Sequence, residues 1–191
     1  MELVFASGNE HKLKEVSKIL GKDFKLLSLG DIGCHEEIPE PWPSLEENAL
    51  AKARFVFQGF GLNCFSDDSG LEVSALGGKP GVESARYAGP EKNCRLNMQK
   101  LLQELEHEPN RYARFRAVIA LILNGREHLF EGMVNGTIAY APKGNRGFGY
   151  DPVFIPEGYS YSFGELPFGV KNTLSHRYRA IEKMRDFLLK M

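Results

Sequence analysis

Apolar positions along the chain change period several times, and each change marks an element. Leu3-Val4-Phe5-Ala6 is an unbroken apolar run, after which Leu13, Val16, Ile19 and Leu20 recur at helical spacing. This predicts a buried strand, a short turn and a helix over about 11–20. Phe24 to Leu29 supports a second strand, and Pro39, Pro41 and Pro43 then hold the chain extended. Ser44 with Glu47 forms a capping box before a helix that carries Ala49, Leu50, Ala53 and Phe57 inward and ends near Gly59. Leu62 to Ser66 predicts a strand running out into Asp67-Asp68-Ser69-Gly70, with Leu71 to Val73 resuming apolar character.

GGKPGVESARYAGP is loop-like, and a helix is expected over 93–106. Phe115, Ala117, Ile119, Leu121 and Leu123 alternate along a long strand, and Asn124-Gly125 predicts a two-residue hairpin into a strand over 128–137. PKGNRGFGYDP is a second glycine-rich loop before a short strand at 153–155. The last helix starts near His176 and buries Ile181, Met184, Phe187 and Leu188. Strands and helices mix throughout, so the class is α/β or α+β with a mixed sheet.

At 191 residues and 42% hydrophobic, the chain can bury a substantial core. Its 24 basic and 25 acidic residues leave a formal charge of -1. No global field then draws it to nucleic acid or membrane, and neither is expected as a partner. An anion site must be local. Cys34, Cys64 and Cys94 form no C-x-x-C pair and have no histidine at zinc-ligand spacing, which suits a reducing cytoplasm. No apolar run reaches membrane-span length, so a soluble protein is expected.

Four short stretches carry candidate chemistry. In SGNEHK, small residues admit a close backbone approach, free N–H groups are expected at the helix start, and Lys12 adds a positive charge. That suits a phosphate; the plain alternative is a tight strand-to-helix turn with a solvated lysine. Neither the P-loop pattern nor G-x-G-x-x-G occurs. In SDDSG, two adjacent carboxylates repel each other beside an apolar core, and Mg²⁺ would offset that cost. A turn capped by Asp and Ser is the alternative there. Glu40 and Glu47 are further acids, and Lys52 and Arg54 can be plain solvated charges.

Phe148 and Tyr150, set among glycines, either stack on a nucleobase or anchor their loop to the core. In KNTLSHR, Ser175 can cap the last helix while His176 and Arg177 occupy its first turn. An arginine there opposes the helix dipole, a poor structural rationale. Both side chains can instead donate to carbonyl oxygens, and Lys171 can meet an anion.

SGNEHK, SLEENALAKA, SDDSGLEV, GGKPGVESARY, GFGYDPVF and SHR, in this order from first strand to last helix, resemble the inosine triphosphate pyrophosphatase (Ham1-like) family. The resemblance implies an α/β fold: an elongated mixed β-sheet with flanking helices, one domain over 1–191 made of two lobes around a central cleft, and a homodimer. It implies Mg²⁺-dependent hydrolysis of ITP, dITP and XTP to the monophosphate and pyrophosphate. Carried over by motif, Ser7, Gly8, Asn9, Glu10, His11 and Lys12 match the triphosphate-binding turn, and Lys52 matches another phosphate contact. Asp68 matches the general base and a metal ligand, Glu40 the other metal ligand, and Ser69 a substrate contact. Phe148, Gly149, Tyr150 and Asp151 match the base-binding loop, while Lys171, His176 and Arg177 match the remaining nucleotide contacts. One departure is visible: Pro41-Trp42-Pro43 follows Glu40 where family members often carry a glycine.

Two rivals stand beside this reading. One is a pyrophosphatase for other modified or pyrimidine nucleoside triphosphates, against which SHR and FGYD argue. The other is a nucleotide sensor, which would not need the acid pair.

Overall fold

The apolar opening run becomes β1 (Glu2–Phe5), and the helical stripe after it becomes α1 (Glu10–Leu20). There follow β2 (Lys25–Leu27), α2 (Leu45–Phe60), β3 (Cys64–Val73), β4 (Pro80–Gly81), α3 (Cys94–Glu104), β5 (Tyr112–Leu123), β6 (Arg126–Ile138), β7 (Phe154–Pro156), α4 (Phe168–Leu174) and α5 (His176–Leu189). The computed structural model describes residues 1–191. Strands follow the order β2-β1-β3-β5-β6-β7, with β4 added on β3. β1 runs parallel to β2 and β3, whereas β4 on β3 and β7 on β6 are antiparallel, so the sheet is mixed as expected.

The chain divides into two compact units, and β3, β5 and β6 each run from one into the other. The first comprises Met1–Asp68, Ala117–Gly132 and Arg177–Met191; the second comprises Ser69–Arg116 and Met133–His176. Leu3, Phe5 and Phe65 on strands meet Val16 and Leu20 of α1 and Ile181 and Met184 of α5 in the first core. The second core gathers Leu71, Val73, Leu101, Phe115, Phe154 and Phe163. Each is a period-2 strand face covered by a period-3.6 helix stripe, the pairing that removes most apolar surface from water.

Local signals acted as expected at several points. Asn124 and Gly125 take φ of 51° and 77°, the left-handed pair that matches hairpin twist. Ser44 caps α2, accepting from the Glu47 N–H at 3.2 Å and donating to the Glu47 carboxylate at 2.8 Å. Other features differ: β4 (Pro80–Gly81) lies within the stretch expected to be a loop, and β2 is shorter than the expected 24–29. β3 does not stop at the acid pair but continues through it to Val73. α4 went unpredicted because seven residues beginning at Phe168 are too short to show a period. Around the hairpin and β7, strand limits shift by one or two residues, which hydrogen bonding rather than side-chain pattern decides.

Candidate active site

Because side chains alternate along a strand, consecutive residues Asp67 and Asp68 point to opposite faces of β3. This relieves the repulsion expected of neighbouring carboxylates, and each acid has its own cations. Asp67, fully buried, accepts from Lys12 Nζ at 2.6 Å and from Arg177 Nε at 2.6 Å. Arg177 also donates through Nη1 to Glu15 at 2.5 Å. On the other face Lys52 Nζ donates to Asp68 Oδ1 at 3.2 Å, to Glu40 Oε1 at 2.6 Å and to the Asp67 carbonyl at 2.8 Å. The same carbonyl lies 3.4 Å from Lys12 Nζ, so two ammonium groups flank one backbone oxygen.

Local structure places each of these groups. Lys12 and Glu15 stand one turn apart on α1 and therefore share a face. Asn9 caps α1, its Oδ1 accepting the N–H groups of His11 at 3.0 Å and Lys12 at 3.1 Å. This corrects the expectation of free N–H groups there: Asn9 has taken two of them. Ser7 accepts from the Asn9 N–H at 3.3 Å, while Gly8, Asn9, Glu10 and His11 are exposed. Glu40 is held despite its proline-rich surroundings. Trp42 donates its N–H to Asn48 Oδ1 at 3.0 Å, and Asn48 Nδ2 donates to the Trp42 carbonyl at 2.9 Å, a pair that fastens the Pro-Trp-Pro segment to α2.

The charges respond to these surroundings. Burial alone would raise the Asp67 carboxyl, but Arg177 and Lys12 outweigh it and hold the group well below the usual carboxylate range. For Asp68 burial wins: its carboxyl is raised, with Lys52 and Lys12 opposing and Glu40 and Asp67 adding to the rise. Burial pulls the Lys52 ammonium down, yet Asp68 and Glu40 outweigh it, so the group is raised and stays charged. Asp67 is thus a fixed structural anion, whereas Asp68 is a carboxylate made more basic, as a proton acceptor requires. Asp68 and Glu40 present oxygen donors to a single cation position. No group of three or more metal-binding side chains forms. A hard divalent ion completed by water and phosphate oxygens fits that donor set.

Lys52 is therefore no solvated charge, and Arg177 has the structural rationale its helix position did not suggest. Glu15 was missed in the sequence, although an acid beside Val16 on an apolar stripe is a legible signal of a buried partner.

In the second unit, the loop before β7 wraps on one carboxylate. Asp151 Oδ2 accepts the Phe148 N–H at 2.7 Å and Lys171 Nζ at 2.6 Å. Gly147 takes φ of 74°, and a Cβ there would strike the Asp151 carboxylate, so only glycine lets the loop close so tightly. Tyr150 is buried and donates its hydroxyl to the Ser84 carbonyl at 2.8 Å, which makes it a loop anchor. Ser84 Oγ in turn accepts the Leu71 N–H and donates to the Gly81 carbonyl, joining β3 to β4. Phe148 is half-buried, with Lys171 Nζ 5.2 Å from its ring centre. Ser69 is half-buried beside Asp68, and Gly149 is half-buried in the loop. The His176 ring stacks on Phe115 at 4.7 Å. The structure thus gathers the sequence candidates into two sets, one per unit.

The model of the Ham1 family matches residues 3–187. A dITP/XTP pyrophosphatase of Porphyromonas gingivalis is 52% identical over 189 residues, covering 98% of this chain and 97% of the relative. Another of the same name, from Flavobacterium psychrophilum, is 50% identical over 187 residues and covers 98% of each chain. Among solved structures, a HAM1 protein from Coxiella burnetii superposes with a TM-score of 0.92 at 36% identity, covering both chains completely. A nucleoside-triphosphatase or dITP/XTP pyrophosphatase from Mycobacterium abscessus gives a TM-score of 0.79 at 42% identity over 96% of this chain and 98% of its own.

Proposed function

The chain belongs to the Ham1 family, and from that premise we propose that it hydrolyses ITP, dITP and XTP to the nucleoside monophosphate and pyrophosphate, with Mg²⁺ as cofactor. One observation carries this reading: Glu40 and Asp68 converge on the single Lys52 ammonium, with Lys12 close by at the end of an exposed Ser-Gly-Asn turn. That is the equipment for a metal-bound polyphosphate rather than for a neutral ligand. The names of the relatives support the substrate class.

Glu40 and Asp68 are the residues that would hold Mg²⁺, whose charge, when bound, neutralises phosphate oxygens at the reacting centre. Asp68 orients a water and accepts its proton as the water oxygen bonds to the α-phosphorus. The bond from that phosphorus to the bridging oxygen breaks, and pyrophosphate leaves with the electron pair. Lys12 and Lys52 stabilise the departing charge. No covalent enzyme intermediate forms. Ser69 contacts substrate beside Asp68.

The second set serves the base, with Phe148 as a stacking surface. Arg177 commits Nε and Nη1 to Asp67 and Glu15, so the oxygen at purine C6 falls to His176 and to N–H groups of the 149–151 loop, with Lys171 and Asp151 holding that loop. Adenine carries an amino group at C6 and would leave such donors unpaired. The two units are the lobes of one catalytic domain over 1–191, active as a homodimer on free cytoplasmic nucleotides. Three unpaired thiols accord with that compartment.

Pyrophosphate release from ITP, XTP, GTP and ATP in Mg²⁺ tests the reading. ITP and XTP are expected to exceed ATP by about one to two decades for each mismatched contact. Equal turnover of ATP overturns the selectivity, and ITP binding without pyrophosphate release would mark a sensor instead. A second expectation concerns Gly8, which is exposed, lacks positive φ and has nothing within 4 Å of an added Cβ. No internal packing calls for glycine there, so its smallness serves the ligand. Gly8→Ala is expected to change stability by less than about 0.5 kcal/mol and to raise the KM for ITP by roughly tenfold through crowding of the phosphate. Calorimetry and steady-state kinetics on the same preparation check both halves.

A further inference from the structure

We propose that Lys52 is the resident counter-ion of the Glu40 and Asp68 pair, and that a divalent cation takes this pair readily only when the displaced ammonium has phosphate oxygens to receive it. The proposal rests on the hydrolase reading above and adds an order of events to it: cation and triphosphate bind as mutually dependent partners.

The geometry is specific. Lys52 is 4% exposed. Its ammonium has three N–H donors and no acceptor, and all three have oxygen partners: Glu40 Oε1 at 2.6 Å, the Asp67 carbonyl at 2.8 Å and Asp68 Oδ1 at 3.2 Å. Two of these partners are the carboxylates that a divalent ion requires. A divalent ion bound to them competes with the buried ammonium for two of its three acceptors and sets like charges side by side in a medium of low dielectric. Lys52 cannot turn to bulk water at that depth. A polyphosphate alters the balance by bringing acceptors to the same place, so each ligand tightens the binding of the other, and the coupling is reciprocal.

Lys12 provides the contrast. Its Nζ bonds to Asp67 Oδ1 and the Asp67 carbonyl, not to either member of the acid pair. A general effect of removing nearby positive charge would appear with either lysine. Displacement of a resident counter-ion belongs to Lys52 alone.

The test uses the full chain without nucleotide and Mn²⁺ alone as the probe, followed by loss of the free-ion electron paramagnetic resonance signal. Lys52→Met is expected to bind Mn²⁺ at least about tenfold more tightly than wild type, with a matching larger rise in melting temperature on adding the ion. Lys12→Met is expected to change the affinity by less than about threefold. Lys52→Gln keeps donor hydrogens without the charge; it should show the same gain and replaces Lys52→Met if that variant does not fold. Equal affinities in wild type and the Lys52 variants, no binding by any of them, or as large a gain in Lys12→Met overturns the proposal. With no nucleotide present, the outcome is independent of substrate identity. Failure of wild type to release pyrophosphate from ITP sinks the functional reading, whereas unchanged Mn²⁺ affinity sinks this one.

Discussion

Asp68→Asn is expected to lower kcat for ITP by about a hundred- to ten-thousand-fold while leaving the melting temperature unchanged or raised. The reason lies in the direction of the charge shift. Burial disfavours the ionised Asp68 carboxyl, with Lys52 only partly opposing it, so the group's negative charge destabilises the folded chain at neutral pH. Asparagine has nearly the same shape and can still accept from Lys52 Nζ, which lies 3.2 Å from Asp68 Oδ1. It removes the charge and the proton-accepting oxygen but little packing. A residue kept against stability is the signature of a functional group. Pyrophosphate release and a thermal melt on the same sample decide the matter. Full activity in the variant removes Asp68 from the mechanism, and lost activity together with a collapsed melt would make it structural.

Arg177→Met has the opposite profile, with stability failing first. Arg177 is 2% exposed and joins Asp67 of β3 to Glu15 of α1 from the first turn of α5. Methionine fills much of the volume but leaves two buried carboxylates without their shared cation. Breaking one partner out of such a network costs about 3 to 5 kcal/mol, which lowers the melting temperature by roughly 6 to 20 °C in a chain of this length. A second replacement, Glu15→Gln, removes one of the stranded charges and should restore part of the loss. The pH dependence follows from Asp67. Its folded carboxyl is held below its unfolded value, so its stabilisation is complete above the ordinary aspartate value of about 3.9 and is lost as pH falls toward the lower folded value. The gap between wild type and Arg177→Met should therefore narrow on acidification below that point. Urea unfolding at pH 7 and pH 3.5 measures it, and a gap that stays constant would separate Asp67 from the effect.

The two replacements divide roles that the sequence places side by side. Asp67 and Asp68 are neighbours of the same type; the family motif singles out Asp68, but no local chemistry explains why. The strand does, because a period of two sends one into the grip of Arg177 and Lys12 and the other toward Lys52 and Glu40. Tyr150 and Phe148 divide similarly. Both are aromatic among glycines, yet the Tyr150 hydroxyl reaches the Ser84 carbonyl and anchors the loop, while Phe148 stays half-buried. By residue type alone Lys52 can be a plain solvated helix charge; the family motif marks it as a phosphate contact, and its three acceptors come from the tertiary structure. Glu15 carries no motif because its partner is 162 positions away.

By itself the sequence determined the elements whose causes are local. The strand and helix periods, the Ser44 cap and the Asn124-Gly125 hairpin all follow from residues a few positions apart, where sterics and backbone hydrogen bonding act, while the family is legible in the order of six motifs along the chain. Only the tertiary structure decided which charges meet. The partners of Asp67, Asp68, Lys52 and Arg177 come from distant segments of the chain, and the energy of a buried charge depends on what stands within a few ångströms of it, not on what adjoins it in the chain.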